Sequence, residues 1–398
     1  MDEIDVPSHF LCPISMELMR DPVTVSTGIT YDRENIERWL FSCKNNTCPA
    51  TKQALSSTEV TPNHTLRRLI QAWCTLNASH GIERIPTPKP PVDKSQIVKL
   101  LNEAKEFPNM QLICLRRLRS IAFESERNKR CLEAAGGVVE FLASIIQDGS
   151  NIDIAIEILS TLKISETHLK NLVNNDGDHQ FVESLVQALK MGNCQSRAST
   201  TVLLKSMFEV ADPNQMMSIK REFFRQIVCV LHDKISPQAS KAALKLLVEL
   251  CPWGRNRIKA VEGGATVVLI ELLIEASERR VCELLLVVLD QLCGCAEGRA
   301  ELLKHAAGLV VVSQKILRVS HMATDRAVRI LSLVCRFSAT SRVLQEMLQL
   351  GVVSKLCMVL QVDSSLKSKE RAREILKLHS KVWKNSSCIP SHLLSSYP

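Results

Sequence analysis

Aromatic residues are scarce in this sequence: ten phenylalanines, four tryptophans and two tyrosines, 4% of 398 residues. Apolar residues still make up 45%, so leucine, isoleucine, valine and alanine supply the core. That mix argues for helix packed on helix and against a β-sandwich. No apolar run approaches the ~18–20 residues of a membrane span, and the acidic start has no basic stretch leading into an apolar one. Lysine and arginine do not form blocks with interleaved aromatics, so the net charge of +8 reads as solvated helix faces and not as a nucleic-acid footprint. Paired cysteines are also missing. The fifteen cysteines are odd in number and scattered, and several (Cys114, Cys229, Cys335, Cys357) sit in apolar helical runs where a thiol acts as a small hydrophobe. A disulfide framework is excluded in favour of a reducing compartment. We expect a soluble cytoplasmic protein, with the nucleus and the periphery of the plasma membrane open as further locations.

What the chain does contain is a sharp division. Prolines crowd residues 86–91, where a helix cannot continue and an extended conformation is preferred. Residues 80–94 are therefore read as a linker between a head (5–79) and a body (95–385), with a polar tail at 386–398. The charge divides unevenly: residues 1–80 carry seven basic and nine acidic side chains, which leaves about +10 in the body.

One pattern recurs through the body: a small or apolar residue with a leucine four positions later. It begins at Cys114, Ala155, Thr200, Ala243, Leu285, Ala327 and Ala372, at intervals of 41 to 45 residues. A second column has the same period: Gly136-Gly137, Gly263-Gly264, Gly308 and Gly351 each stand where one helix ends and another apolar helix begins. Two columns in one register predict an α-solenoid of about six to seven repeats. The period, with glycine placed before the third helix, resembles armadillo repeats. Thr200 and Leu285 replace the usual small residue, so their repeats are expected to pack irregularly.

The head begins with Cys12-Pro13-Ile14-Ser15, which opens like a zinc site and then lacks the second cysteine. A RING-type zinc domain needs about eight Cys/His ligands in spaced pairs. Neither Cys12 nor Cys48 has a cysteine three residues on, since Ser15 and Thr51 stand there. No metal is expected, and no cofactor. The fold signals are complete without one: Val23–Val25 and Ile29–Tyr31 as a hairpin around Ser26-Thr27-Gly28, Asp32 capping a helix from Arg33 to about Phe41, and a second helix after Pro62-Asn63. In a unit this small, polar pairs should replace the metal as staples. Ser26, Tyr31, Asp32, Arg33, Glu17 and Glu37 are the candidates.

These residues carry a specific resemblance. Phe10 through Val23, Thr27 through Arg33, Ile36 through Trp39, Cys48 through Thr51, and Pro62-Asn63 look like a U-box, the zinc-free RING-shaped domain of a class of ubiquitin ligases. With the linker and repeats behind it, the chain resembles the plant U-box/armadillo ligases, in particular the short subgroup that begins almost at its U-box. The expected fold is mainly α: a small ββα head followed by an armadillo-type solenoid.

The resemblance implies an E3 ubiquitin ligase whose U-box binds a ubiquitin-charged E2 and whose repeats choose the protein substrate, in plant immune or stress signalling. It places the E2 contact at Ile14, Trp39 and Pro49, and a bridge between E2 and ubiquitin at Lys52, where related domains often have arginine. Cys12, Tyr31 and Asp32 are then structural, and no residue acts covalently. Thr61 and Thr87 each precede a proline and are candidate sites for a proline-directed kinase; a phosphate at Thr61 would lie near a helix start and would disturb self-association of the U-box. The alternative reading is a non-catalytic armadillo adaptor or scaffold. Nucleic acid and membrane spans are not among the expected partners.

Overall fold

The computed structural model describes residues 5–42, 45–80, 82–83, 85, 92–174 and 180–383. Thr87, much of the linker and the 386–398 tail lie outside the described residues. The described chain falls into two compact units, residues 1–138 with 161–163, and residues 139–160 with 164–398.

The first unit contains the head. Strands β1 (Pro22–Thr24) and β2 (Thr30–Asp32) pair antiparallel with Val23 opposite Tyr31. Gly28, at φ +82°, makes the turn between them, a conformation open to glycine at little cost. After β2 come helix α1 (Arg33–Glu37) and a wider π-type turn, Arg38–Ser42. A third short strand, β3 (Thr61–Pro62), was not expected. It pairs with the other edge of β1, and the Asn63 side chain then accepts the Leu66 N–H to cap α2 (His64–Leu76). The head core gathers Phe10, Cys12, Met19, Tyr31, Ile36, Cys48, Ile70 and Cys74. Helices α3 (Lys94–Glu106) and α4 (Gln111–Glu124) follow.

From α5 onward the helices come in threes: α5 (Glu126–Ala134), α6 (Val138–Asp148) and α7 (Ile152–Thr161); α8 (Glu166–Asn174), α9 (Gln180–Met191) and α10 (Cys194–Phe208); α11 (Pro213–Ser218), α12 (Arg221–His232) and α13 (Pro237–Leu250). The series continues with α14 (Asn256–Glu262), α15 (Ala265–Glu275) and α16 (Arg279–Leu292), then α17 (Ala296–Lys304), α18 (Gly308–Gln314) and α19 (His321–Phe337). It closes with α20 (Ser341–Gln349), α21 (Val352–Gln361) and α22 (Leu366–Leu378), and a last turn α23 (Ser380–Trp383). In the second unit the third helices pack in a ladder, α10 on α13, α13 on α16, α16 on α19 and α19 on α22. Among the described residues no single helix is long and apolar enough to cross a membrane.

The glycine column precedes the second helix of each triplet, not the third. Gly264 (φ +88°) and Gly351 (φ +67°) stand directly before α15 and α21 in left-handed conformation. The small-residue and leucine column is what marks the third helix. Periodicity fixes where helices end but not which one begins a repeat; the first helices, only six to nine residues long, hid the phase. The two irregular positions are also well packed: Thr200 is fully buried and its hydroxyl donates to the Ser196 carbonyl, while Leu285 is buried in α16. A side-chain hydrogen bond to the preceding turn makes threonine tolerable there.

Gly298 shows how closely successive repeats approach. A Cβ placed on it would lie 2.0 Å from the Leu292 carbonyl oxygen, so the backbone of α17 fits over the end of α16 only without a side chain. Gly298→Ala should cost about 1–3 kcal/mol through this overlap, seen as a lowered urea midpoint. Gly264→Ala, which meets open space and strains only φ, should cost roughly 1–2 kcal/mol. A Gly298→Ala protein with the unaltered midpoint would rule out the close-approach account.

Candidate functional site

Two loops of the head have the same construction. Cys12-Pro13-Ile14-Ser15-Met16 and Cys48-Pro49-Ala50-Thr51-Lys52 each start with a buried cysteine whose N–H donates to a carbonyl five residues on (Glu17 and Gln53, both 2.8 Å). In each, the fifth residue donates back to the cysteine carbonyl, Met16 to Cys12 at 2.8 Å and Lys52 to Cys48 at 2.9 Å. Met16 and Lys52 both take a left-handed backbone, φ 57° and 61°, which is uncommon and mildly strained for a side chain with a Cβ. A small antiparallel bridge closes each loop, Leu11 with Leu18 and Thr47 with Ala54. The shared Cys-Pro-x-Ser/Thr spelling was legible in the sequence, but reading each cysteine only as half of a failed metal pair missed it.

Hydrogen bonds to sulfur stand where a RING would place its metals. The Cys12 thiol accepts the Asp32 N–H (3.3 Å) and the Asn35 amide (3.7 Å), and Asn35 also donates to the Ser15 hydroxyl (3.1 Å). The Cys48 thiol bonds the Tyr31 hydroxyl at 2.9 Å, and that hydroxyl accepts the Ala50 N–H (3.1 Å). Burial pushes the Tyr31 phenol up, helped by its bond to Cys48. For Cys48 burial also acts upward, but the hydroxyls of Thr27, Thr51 and Tyr31 outweigh it and the thiol is lowered to about 6. Among the described residues no three His, Cys, Asp or Glu side chains gather as a metal ion would require.

Of the expected staples, Tyr31, Asp32, Arg33 and Glu37 join the network and Ser26 adds a surface bond, its hydroxyl accepting the Ser56 N–H (3.2 Å). Asp32 precedes α1 but does not cap it: its carboxylate accepts the N–H groups of Arg20 (2.9 Å) and Asp21 (2.8 Å), tying the end of the first loop to β2. Those two N–H groups lie in a bend outside any helix and take the carboxylate that would otherwise face the helix start. Burial holds the Asp32 pKa above the ordinary carboxylate range, opposed by these two bonds. Arg33 pairs with Asp21 (2.6 Å) and Glu37 (3.5 Å). Glu17 is exposed and takes part through its backbone alone, its carbonyl accepting the Cys12 N–H and its N–H donating to the Ser15 hydroxyl (3.4 Å). Asn35 and Asp21 were missed, since nothing in the local pattern distinguishes them from solvated helix and loop residues.

The expected contact residues lie on this frame. Ile14 is 36% exposed and its neighbour Met16 70%. Trp39 is half-buried, its indole N–H donating to the Thr47 carbonyl at 2.7 Å, and Lys52 lies over its ring with the ammonium 5.6 Å from the centroid. Pro49 is half-buried. Asn35 and Trp39 stand four residues apart on one helical stretch and hold the first and second loops respectively. Thr61 is exposed on β3.

The proline-rich segment does not leave the head isolated from α5. The Arg130 guanidinium stacks 3.4 Å from the Phe41 ring centroid, and Lys163 donates to the Phe41 carbonyl (3.2 Å) while pairing with Glu126 (3.7 Å). Buried Glu37, held above its usual pKa by desolvation, is offset by the charges of Arg33, Arg130 and Arg127. The helical stretch that carries Trp39 is thus supported from its far end.

The chain matches the model of the U-box domain over residues 6–79 and that of the plant U-box protein ARM repeat region over residues 96–398. It is 56% identical to the E3 ubiquitin-protein ligase PUB23 of Arabidopsis thaliana, covering all of this chain and 98% of that one, and 52% identical to PUB22 of the same plant, covering 100% and 99%. A solved chain from a study of the phosphorylation switch between cadherin and β-catenin shares the fold, with TM-score 0.59 and 14% identity, over 79% of this chain and 59% of that one.

The sulfur network gives a pH-dependent outcome. A cysteine in the unfolded chain titrates near ~8.5, and a folded value of about 6 adds stability that is complete above the unfolded value and lost as pH falls through the folded one. Hydrogen-exchange protection across the second loop should therefore rise between those two values, and Cys48→Ser should flatten the rise. An equal rise in wild type and variant would contradict the assignment to Cys48.

Proposed function

The chain belongs to the plant U-box proteins with an armadillo-repeat region, which makes it an E3 ubiquitin-protein ligase, and from that premise we propose how its own residues carry out the transfer. Ile14, Trp39 and Pro49 form the apolar anchor for a ubiquitin-charged E2, and the armadillo repeats hold the substrate whose lysine is modified. The observation that carries this reading is the exposure of Ile14 on a loop whose backbone is fixed at both ends by the Cys12 hydrogen bonds. An apolar side chain held rigidly in water gains on contact with a partner at little ordering cost. Exposed Met16 extends the same surface.

The chemistry is positioning. The substrate amine attacks the thioester carbonyl of the E2~ubiquitin conjugate, the C–S bond breaks, and the E2 thiol leaves as the isopeptide forms. No cysteine of this chain enters that sequence. The ligase contributes by holding the conjugate in a reactive arrangement, where orientation alone is worth several kcal/mol. Lys52, steadied over Trp39, supplies one cation between E2 and ubiquitin, without the two-pronged geometry of arginine. Plant immune or stress signalling is the setting we propose, as the resemblance to the plant U-box/armadillo ligases implies, with the cytoplasm as principal location and the nucleus and plasma-membrane periphery as further ones.

Purified protein with E1, a panel of E2 enzymes, ubiquitin and ATP tests the reading. Ile14→Ala should slow discharge of E2~ubiquitin by about tenfold or more, as loss of a central anchor does, with an unaltered melting temperature; Trp39→Ala should do the same at some cost in stability. A zinc chelator should leave the rate unchanged. Absence of ubiquitin chains with every E2, or loss of activity on chelation, would sink it.

We also propose that phosphorylation of Thr61 by a proline-directed kinase tunes the ligase; Thr87 is a second candidate on sequence alone. Thr61 is exposed and stands two residues before the cap of α2, where a dianion interacts with the helix start and where added charge opposes self-association of the U-box. Thr61→Glu should shift the oligomeric state in light scattering and change autoubiquitination relative to Thr61→Ala. Identical behaviour of the two variants would dispose of the switch.

A further inference from the structure

The positive charge of the repeats is concentrated on one ladder of helices. The five third helices α10, α13, α16, α19 and α22 hold fourteen lysines and arginines against six acids. The five second helices α9, α12, α15, α18 and α21 hold four of each and are neutral. Solvation of helix faces alone would spread charge over both sets. The basic character starts at α10 and is strongest at α22; α7, before them, carries Asp153 and Glu157 and no lysine or arginine.

Local geometry leaves part of this charge uncancelled. Asp290 of α16 is fully buried, and one of its carboxylate oxygens accepts from both Arg326 (3.0 Å) and Arg329 (3.1 Å) of α19. One carboxylate between two guanidiniums leaves a net cation, and Arg329, with its side chain 45% exposed, lines a cleft of about 390 Å³ between α19 and α22 where four cations (with Arg336, Lys367 and Arg371) face two acids, Glu370 and Glu374, the latter paired with Arg336. A second cleft, about 230 Å³, lies on the same ladder over α10, α13 and α16; its charges balance, Lys205 being paired with Glu209 (2.7 Å) and Lys245 being matched by Glu249, and its floor is apolar, with Phe208, Leu246 and Leu284. Lys245 and Lys367 make no ion pair among the described residues.

We propose that this ladder binds an extended acidic segment, rich in aspartate and glutamate, of the protein that the ligase modifies. The inference rests on the reading of the repeats as the substrate-holding part. Helices packed at ~10 Å spacing make five of them span roughly 40 Å, which an extended chain at ~3.3 Å per residue covers in about twelve residues. Carboxylates placed along such a segment meet lysines and arginines on successive helices, and the apolar floor of the second cleft takes an intervening aliphatic side chain. Nucleic acid fits less well. The ladder carries no tyrosine or tryptophan, and of its two phenylalanines Phe208 is buried, which leaves Phe337 as a single exposed ring, whereas single-strand binding stacks successive bases on several such platforms.

The test uses the full-length protein and three fluorescein-labelled probes: a peptide of about fifteen residues built from Asp, Ser, Glu, Leu and Gly, its counterpart with Lys and Arg in place of the acids, and a dT oligonucleotide of similar length. Fluorescence anisotropy should show binding of the acidic peptide alone, weakening steeply with added salt. The double variant Lys245→Glu with Lys367→Glu, two exposed positions outside the core, should bind it about tenfold more weakly or worse, with melting temperature and E2~ubiquitin discharge unchanged. Equal binding by the double variant, equal binding of the basic peptide, or tighter binding of the oligonucleotide would overturn the proposal. Discharge measured on the same preparations separates the two readings: its absence in wild type counts against the ligase mechanism, whereas intact discharge with no peptide binding counts against this inference alone.

Discussion

The head depends on two buried thiols that act as hydrogen-bond centres. A domain of about 75 residues buries too little apolar surface to fix long loops by packing alone, and here the loops are the part proposed to meet a partner. Cys12 and Cys48 each anchor a loop twice, through the backbone turn that starts at the cysteine and through bonds to sulfur from Asp32, Asn35 and Tyr31. Because the groups involved are shielded from water, losing one partner leaves another unsatisfied, at about 1–3 kcal/mol each. The arrangement tolerates little local change, and it holds Ile14 and Met16 outward on a backbone that is strained at Met16.

The helical stretch from Arg33 to Ser42 links these centres. Asn35 reaches the first loop, Trp39 the second, and Phe41 and Glu37 the α5 side through Arg130 and Lys163. The π-type turn lies between Glu37 and Ser42, and such turns occur often at functional sites. Its position lets Trp39 face the second loop while Phe41 faces Arg130. A change at the α5 end therefore has a direct mechanical route to the residue proposed to meet the E2.

In the repeats the same economy takes a different form. The second and third helices of the triplets share a leucine-rich interior, but only the third helices carry the excess of lysine and arginine. The buried Asp290 organises two of those arginines across the α16–α19 junction, so a group with a structural role also sets the charge of the exposed surface. A buried charge of this kind is retained at a desolvation cost, which is consistent with a use beyond stability.

Much of this was legible beforehand. Composition and period alone indicated helices repeating every 41 to 45 residues, because helix packing imposes its spacing directly on the chain. The missing C-x2-C pairs argued against a zinc scaffold, and the U-box spelling pointed to the family over residues 6–79. Other features depend on contacts between residues distant in sequence. That Asp32 ties a loop instead of capping a helix, that Asn35 serves sulfur, that Arg130 stacks on Phe41, and that Arg326 and Arg329 share Asp290 all follow from which polar groups burial brings together. A hydrogen bond needs both partners within about 3 Å, and only the folded chain fixes that distance. The sequence by itself determined the helical repeats and the family of the head; the tertiary structure decided which thiols, carboxylates and cations act together, because desolvation makes such groups pair with whatever the fold places beside them.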